Sequence, residues 1–231
     1  MHDQLPLSGL TVAFDLDGTL VDTAPDLIGA LNTVLHEEGL APLPYEDVRL
    51  MVGRGAKALL EQGFAAAGAP MDADRTPKLV ERFIAIYLGR IAHESTPFPG
   101  AVEALKKLRA DGARLCVCTN KLTNLSTALL DALDMTRLFD AVVGQDKAPA
   151  PKPDARHLLV AIEAVGGSAD RAILVGDSIA DVGAGKNAGV PVVVVSFGYT
   201  EAPAKELGGD IVIDHFDELD GVVRAWAKGA A

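Results

Sequence analysis

Two aspartates, Asp15 and Asp17, stand two positions apart at the end of an apolar run, and Gly18 follows the second one directly. A buried carboxylate without a partner is costly, so this pair implies a nearby cation or an opening to solvent. The glycine permits a sharp turn or a close approach of the backbone. At the carboxyl end of a parallel strand, where ligands bind, the pair could serve a bound cation. The alternative is a strand end with two solvated acids and a turn glycine.

A third carboxylate, Asp177, follows another apolar run, and Asp181 comes four positions later. If the two strands are neighbours in a sheet, Asp177 meets the first pair of aspartates. Mg²⁺ prefers such a site, with one or two carboxylates, a backbone carbonyl, waters and a phosphate oxygen. We expect Asp181 to orient waters or a lysine. Capping of the following helix is the alternative role for these acids.

Two further motifs could bind an anion. Thr119 and Asn120 end a third apolar run, where a hydroxyl and free backbone N–H groups can hold phosphate oxygens. Lys152 precedes Pro153, which is predicted to be the first residue of a helix. A lysine in the first turn is unfavourable for the helix dipole, which suggests a bound anion. A simple helix cap and a solvated surface lysine are the respective alternatives.

Short β-branched runs that alternate with helix-length segments must position these residues. This alternation predicts an α/β fold with a doubly wound parallel sheet. The predicted strands are Leu10–Leu16, Arg114–Thr119, Ala141–Gly144, Arg171–Gly176, Val192–Ser196 and Ile211–Ile213. The predicted helices between the later strands are Ala101–Ala110, Leu122–Leu133 and Asp154–Val165, and a last helix carries Trp226.

One stretch departs from this alternation. From about Val21 to about Phe98 no strand is predicted, and the predicted helices are Asp26–Glu38, Glu46–Met51, Gly55–Ala67 and Arg75–Ala92. A helical block therefore interrupts the α/β pattern after the first strand. We expect residues 1–20 and 96–231 to form the core, and residues 21–95 to form the inserted unit.

The order and spacing of the four motifs resemble the haloacid dehalogenase (HAD) superfamily of aspartate-nucleophile phosphatases, over essentially the whole chain. The segment DLDGT at residues 15–19 is the most specific of them. The resemblance implies that Asp15 is the nucleophile that takes up the phosphoryl group. Asp17 would be the general acid that protonates the leaving group and then the base for the hydrolytic water. The inserted helices would be a cap over a Rossmann-like core.

The same resemblance implies roles for the other motifs. Thr119 and the backbone of Asn120 would bind the phosphoryl oxygens, and Lys152 would neutralise charge on the nucleophile and on that group. Asp177 would hold Mg²⁺ together with Asp15 and the backbone carbonyl of Asp17.

Within the superfamily the chain is similar to the phosphoglycolate phosphatases. The similarity rests on DLDGTLVDTAPDL at the start, the TNK triplet at 119–121, the VGRGAKALL stretch, and AGVPVVVVSFGYT near the end. It implies Mg²⁺-dependent hydrolysis of a small anionic phosphate, 2-phosphoglycolate first among them. Arg54 and Lys57 are candidates to read the anionic tail of the substrate, although both also fit exposed residues at a helix start.

Other functions remain open at this point. The first alternative is another enzyme of the same branch: a sugar phosphomutase, a pyrophosphatase, or a phosphonatase, for which Lys57 would have to form a Schiff base. The second is a protein that binds a phosphate ligand without turnover.

Composition excludes some partners. With 21 Lys and Arg against 32 Asp and Glu, the net charge is −11. Neither a nucleic acid nor an anionic membrane surface is an expected partner of such a chain. Cys116 and Cys118 are predicted to be buried thiols, and Met1–Gln4 lack the features of a signal peptide. We expect a cytoplasmic protein, and the oligomeric state is left open.

Overall fold

The computed structural model describes residues 5–200 and 202–229. The expectation about Met1–Gln4, and the outermost parts of the predicted core segments 1–20 and 96–231, lie outside the described residues. None of the helices in the described ranges is long and apolar enough to cross a membrane.

A parallel sheet of six strands forms the centre of the fold. The strands in the described ranges are β1 (Thr11–Phe14), β2 (Val21–Asp22), β3 (Thr96–Pro97), β4 (Arg114–Thr119), β5 (Ala141–Gly144), β6 (Ala172–Gly176), β7 (Val192–Val195) and β8 (Ile211–Ile213). Their order in the central sheet is β5-β4-β1-β6-β7-β8, and every neighbouring pair is parallel. All six strands predicted from the sequence are present, and their ends differ from the predicted ends by at most two residues.

Helices cover both faces of this sheet because successive side chains of a strand point to opposite sides. The helices are α1 (Ala24–Glu37), α2 (Tyr45–Arg49), α3 (Ala56–Ala66), α4 (Thr76–Leu88), α5 (Ala101–Ala110), α6 (Thr123–Ala132), α7 (Ala155–Ala164), α8 (Ile179–Ala188) and α9 (Leu219–Gly229). Val12 and Phe14 of β1 pack in the cluster that includes residues of α5 and α9. Ala13, between them, packs in the cluster that includes residues of α7 and α8. The predicted doubly wound α/β sheet is confirmed.

The four helices α1–α4 lie between β2 and β3 and have an apolar cluster of their own. Leu31 of α1, Leu60 of α3 and Phe83 of α4 are buried together in it. The four helices occur where the sequence predicts them, with ends that are shorter or shifted by a few residues. Because these helices bury their apolar faces mainly against one another, they form a packed unit beside the sheet.

The prediction that residues 21–98 contain no strand is wrong. Val21 pairs with Pro97, and Asp22 pairs with Thr96, in a two-residue antiparallel ladder that joins the entry and the exit of the helical unit. Two residues are too few to show the alternation that reveals a strand, and proline is depleted in strands.

Gly144 of β5 is packed closely against the backbone that follows β4, and a substitution can test this packing. A Cβ atom on Gly144 would lie 2.4 Å from the backbone nitrogen of Thr123 and 2.5 Å from the carbonyl oxygen of Lys121. Backbone atoms cannot rotate away, so we expect Gly144→Ala to lower the free energy of unfolding by about 1–3 kcal/mol. Urea denaturation of the two proteins measures this difference.

Gly221→Ala is the matched control for this substitution. Gly221 lies in α9, and a Cβ atom there would have no neighbour within 4 Å. Alanine favours helix over glycine, so this change should raise the free energy of unfolding by up to about 1 kcal/mol. A Gly144→Ala variant as stable as the wild type would contradict the packing at β5.

Candidate active site

The charged residues converge at the carboxyl edge of the sheet because β1 lies between β4 and β6. Asp15 follows β1, and its backbone N–H donates a 2.9 Å hydrogen bond to the carbonyl of Val175 in β6. Thr119 ends β4, and Asp177 follows β6. Parallel strands end at the same edge, so motifs that are far apart in the sequence meet here.

Asp15 is buried and has a cation beside it. Its Oδ1 atom accepts hydrogen bonds from the backbone N–H of Leu16 at 2.7 Å and lies 3.0 Å from Nζ of Lys152. Burial raises the pKa of Asp15 to about 6, although the ammonium of Lys152 opposes the shift. The side chain is thus a carboxylate in a poorly solvated position, which is the environment of a reactive nucleophile.

Lys152 bridges two carboxylates. Its Nζ atom donates to Oδ1 of Asp181 at 2.6 Å and contacts Asp15. Burial lowers the pKa of Lys152, but the carboxylates of Asp15 and Asp181 outweigh this effect and hold the pKa above its usual value. The lysine therefore carries its positive charge inside the protein.

Asn120 fixes the backbone of Lys152. The Oδ1 atom of Asn120 accepts from the N–H of Lys152 at 2.8 Å, and its Nδ2 donates to the carbonyl of Lys152 at 3.2 Å. The prediction that Lys152 lies in the first turn of a helix is wrong, because α7 begins at Ala155 with Asp154 as its N-cap. Lys152 and Pro153 therefore precede the helix, and the dipole argument does not apply to Lys152.

Asp177 is held from two sides. Its Oδ1 accepts from the hydroxyl of Thr19 at 2.8 Å, and its Oδ2 accepts from the N–H of Tyr199 at 2.7 Å. Gly18 lies against it with a φ of +82°, and a Cβ atom there would be 2.5 Å from Oδ2 of Asp177. Only glycine fits both this backbone conformation and this approach. Gly18 thus allows the turn after Asp17 to pass close to the third carboxylate.

Asp15, Asp177 and Asp181 form a buried group of carboxylates that could hold a metal ion. One oxygen atom of each lies within 4.8 Å of the other two. Burial, Asp181 and Asp15, in that order, raise the pKa of Asp177 to about 8. Hard divalent cations bind such oxygen donors and would offset the repulsion between them. The donor set therefore fits Mg²⁺.

Asp181 has other partners within this group. Its Oδ1 accepts from Lys152, and its Oδ2 accepts from the backbone N–H and hydroxyl of Ser178 in a capping box at the start of α8. One of these donors is the buried ammonium of Lys152, so Asp181 orients the lysine. Both oxygen atoms of Asp177 also have donors, but these are a hydroxyl and a backbone N–H, and no ammonium lies beside Asp177 within the described ranges.

Asp17 points to a different set of partners. Its carboxylate accepts from Nζ of Lys121 at 2.8 and 3.0 Å and from the hydroxyl of Thr23 at 2.7 Å. It is absent from the group of three carboxylates described above. The two aspartates of the DLDGT segment thus have separate environments, although they are two residues apart.

Lys121 is the charged residue that the sequence analysis did not assign to the site. It is buried, and its Nζ atom lies 4.6 Å from the centroid of the Tyr87 ring in α4. Burial lowers the pKa of Lys121, but the carboxylate of Asp17 outweighs this and raises the pKa above its usual value. Its position in the TNK triplet, directly after two expected phosphate ligands, is the signal that could have revealed it.

Thr119 and Asn120 lie at the same edge of the sheet as Asp15, and their phosphate-binding roles stay a prediction. Both are buried at the end of β4, beside the strand that carries Asp15. The hydroxyl of Thr119 accepts from the N–H of Lys121 at 3.2 Å. The side chain of Asn120 is committed to Lys152, so its backbone is the part that is left for a ligand.

Arg54 and Lys57 are not brought to the carboxylates. Arg54 is exposed and borders an open groove together with Ser178 and Tyr199. Lys57 is exposed on α3, where its Nζ lies 3.7 Å from Glu61. It borders a groove between α3 and α4, away from the sheet edge. Lys57 therefore does not contact the carboxylates, and a contact of Arg54 or Lys57 with the substrate tail stays a prediction.

Comparison with known proteins agrees with this geometry. A family model described as haloacid dehalogenase-like hydrolase matches residues 12–195. The chain belongs to this family. The match includes the four aspartates and two lysines that meet at the carboxyl edge of the sheet, and it confirms the superfamily expected from the motifs.

Relatives within the haloacid dehalogenase-like hydrolases cover nearly the whole chain. The phosphoglycolate phosphatase of Caulobacter vibrioides is 64% identical over 216 residues, which are 94% of this chain and 90% of the relative. That of Agrobacterium fabrum is 46% identical over 98% of this chain and 97% of its own length. The crystal structure of a predicted phosphoglycolate phosphatase from Haemophilus somnus has a TM-score of 0.86 at 28% identity, and covers 94% of this chain and 98% of its own.

Because Asp15, Asp177 and Asp181 are clustered, we predict that bound Mg²⁺ stabilises the folded protein. We expect millimolar MgCl₂ to raise the melting temperature by several degrees relative to NaCl of equal ionic strength. A ligand at a hundred times its Kd adds about 2.7 kcal/mol to the stability of the folded state. Differential scanning fluorimetry measures the shift.

Asp177→Asn should abolish this response. The Asn side chain can still accept from the N–H of Tyr199 and donate to the hydroxyl of Thr19, so the fold is preserved. In NaCl the variant should melt at or above the wild-type temperature, because one of three repelling charges is gone. Asp134→Asn, at an exposed position with a φ of 55° that asparagine also tolerates, should keep the wild-type shift. Equal shifts in both variants would contradict a metal site at Asp177.

Proposed function

We propose that this protein is a Mg²⁺-dependent phosphatase that hydrolyses 2-phosphoglycolate to glycolate and inorganic phosphate. The observation that carries the reaction type is the separation of Asp15, beside Lys152, from Asp17, beside Lys121 and Thr23. We infer that Asp15 attacks the phosphorus atom and that Asp17 exchanges protons, and their separate environments support this division. The choice of substrate is supported by the 64% identity to the phosphoglycolate phosphatase of Caulobacter vibrioides.

In the first step, an oxygen atom of Asp15 forms a bond to phosphorus as the bond from phosphorus to the ester oxygen breaks. For this step Asp17 must carry a proton when the substrate is bound. It transfers this proton to the ester oxygen, so glycolate leaves as an alcohol, and the ionised Asp17 is then paired with Lys121. The product on the protein is an aspartyl phosphate at Asp15. Lys152 supplies positive charge to the nucleophile and to the transferred group, where charge accumulates in the transition state.

In the second step, a water molecule attacks the phosphorus atom of the aspartyl phosphate. Asp17 takes one proton from this water, and the bond from phosphorus to Asp15 breaks. Phosphate leaves with the hydroxyl group of the water, and both aspartates return to their starting states. The hydroxyl of Thr119 and the backbone of Asn120 would orient the phosphoryl oxygens during both steps.

Asp15, Asp177 and the backbone carbonyl of Asp17 would hold the metal ion. When bound, Mg²⁺ reduces the repulsion between a carboxylate and a phosphate dianion and stabilises the phosphoryl oxygens. Asp181 orients Lys152 through its 2.6 Å contact with Nζ.

Residues 21–95 would act as a cap on a core formed by residues 1–20 and 96–231. The cluster of α1–α4 and the β2–β3 ladder support this division. The unit also contacts the core near the site. Arg49 of α2 donates to the carbonyls of Phe197 and Gly198 at 3.3 and 3.2 Å, next to Tyr199, whose N–H holds Asp177. A cap in this place would exclude water and select the leaving group.

Asp15→Asn tests the nucleophile. Because the amide of asparagine cannot attack phosphorus as a carboxylate does, kcat on 2-phosphoglycolate should fall at least about a thousandfold. The circular dichroism spectrum should stay that of the wild type. Asp134→Asn, the exposed control, should keep full activity. An Asp15→Asn variant with wild-type kcat would contradict the proposed covalent step.

A substrate profile tests the reaction class. In the presence of Mg²⁺ we expect kcat/KM for 2-phosphoglycolate to exceed the values for sugar phosphates and pyrophosphate at least tenfold. Release of inorganic phosphate measures hydrolysis, and product analysis would reveal an isomerised sugar phosphate if the enzyme were a mutase. Equal, slow turnover of every substrate would contradict the specificity.

A further inference from the structure

2-Phosphoglycolate, the substrate of the proposed function, carries a carboxylate. None of the residues assigned a role above binds this carboxylate. Of the lysines and arginines in the described ranges, Lys121 and Lys152 are the buried ones. Lys152 is occupied by Asp15 and Asp181. Lys121 instead contacts Asp17, the proposed proton donor to the ester oxygen, so it is the buried cation on the side of the leaving group.

A small cavity lies beside Lys121 and Asp17, between the helical unit and the edge of the sheet. Its volume is about 20 Å³, which is room for one small group. Its lining is otherwise largely apolar and includes Leu59, Phe83 and Leu125. Because such surroundings solvate a charge poorly, a single cation there interacts strongly with an anion.

Tyr87 provides a second polar group at this cavity. Its side chain is fully buried, and its hydroxyl has no hydrogen-bond partner within the described ranges. A buried hydroxyl without a partner is uncommon in folded proteins and points to a ligand. Burial raises the pKa of Tyr87 to about 12, although the neighbouring ammonium of Lys121 opposes the shift. An ammonium cannot accept a hydrogen bond, so the phenol keeps its proton and can donate it to an anion.

The start of α3 borders the same cavity. Gly55 and Ala56 line it, and this helix of 11 residues begins with no side-chain cap and no acidic residue in its first turn. The N–H groups of an uncapped first turn favour a negatively charged ligand. Three independent features thus face one small volume: an ammonium, a free phenol and an open helix start.

The covalent structure of 2-phosphoglycolate fits this arrangement. Its ester oxygen and its carboxylate are attached to the same CH₂ group. When the ester oxygen receives its proton from Asp17, the carboxylate must lie next to Asp17. The Nζ atom of Lys121 is already 2.8 Å from that side chain, and only two of its three N–H groups are needed to contact both oxygen atoms of Asp17.

We propose that Lys121 and Tyr87, with the first turn of α3, bind the carboxylate of the leaving group and thereby select a 2-phosphorylated acid. This inference rests on the proposed function and names the residues that determine its specificity. It replaces Lys57, which lies elsewhere, and assigns the exposed Arg54 no contact with the carboxylate.

The test compares two substrates that differ only in the carboxylate. 2-Phosphoglycolate is measured against 2-hydroxyethyl phosphate, in which CH₂OH replaces the carboxylate, with the full-length enzyme and Mg²⁺. In Lys121→Met the ratio of the two kcat/KM values should fall by roughly 30-fold or more, as expected for a lost contact between buried charges. Lys121→Arg should restore part of the ratio.

Tyr87→Phe removes one hydroxyl oxygen and keeps the ring, so it should lower the same ratio several-fold without a loss of stability. Lys106→Met, at an exposed lysine of α5, is the matched control and should leave the ratio unchanged. If Lys121→Met does not fold, the ratios of Lys121→Arg and Tyr87→Phe decide, and a wild-type ratio in both would overturn the inference.

The outcomes separate the inference from the proposed function. A wild-type enzyme that does not prefer 2-phosphoglycolate would overturn the proposed function, and the inference with it. A wild-type preference that persists in Lys121→Met, with both substrates slowed equally, would overturn the inference alone. Lys121 would then serve only to position Asp17.

Discussion

An imbalance of buried charge at the carboxyl edge of the sheet governs the rest of this structure. Four carboxylates and two ammonium groups are buried there: Asp15, Asp17, Asp177, Asp181, Lys121 and Lys152. When all four aspartates are ionised, two negative charges have no ammonium partner, which equals the charge of one divalent cation. Isolated charges in a protein interior are strongly unfavourable, so every neighbouring element has to contribute a donor, a cation or a backbone dipole.

The fold meets this demand by placing the charged residues on different strands and loops. Asp15 and Asp17 follow β1, and Asn120 and Lys121 follow β4. Asp177 lies in the loop after β6, and Asp181 lies in the first turn of α8. The side chain of Asn120 holds Lys152 by two backbone hydrogen bonds, and the N–H of Tyr199 holds Asp177. Because the network has members from the whole chain, the arrangement exists only when the sheet order is complete.

Much of this could be predicted from the sequence, for physical reasons. Buried parallel strands are continuous apolar runs, and a polar residue directly after such a run must lie at the sheet edge. The order of these runs along the sequence was therefore enough to predict the six strands and the fold class. It was also enough to predict that Asp15 and Asp177 belong to one site. The ladder of Val21 and Asp22 with residues 96–97 was too short to be seen.

The partners of charged side chains could not be predicted in the same way. Asp17 and Lys121 are 104 residues apart, and nothing local distinguishes a lysine that will be buried against an aspartate from one that will be solvated. The direction of Lys57 depends on which face of α3 packs against α1 and α4. Proximity to a motif in the sequence therefore does not predict which lysine is buried beside an aspartate of the site.

The β2–β3 ladder has a mechanical consequence for the helical unit. Both chain connections of this unit pass through one pair of two-residue strands, so its covalent links to the rest of the chain lie side by side. If the unit acts as the proposed cap, a rotation about this pair of strands would move its far side most. Such a rotation would break the contacts of Arg49 with Phe197 and Gly198 and would widen the cavity beside Lys121.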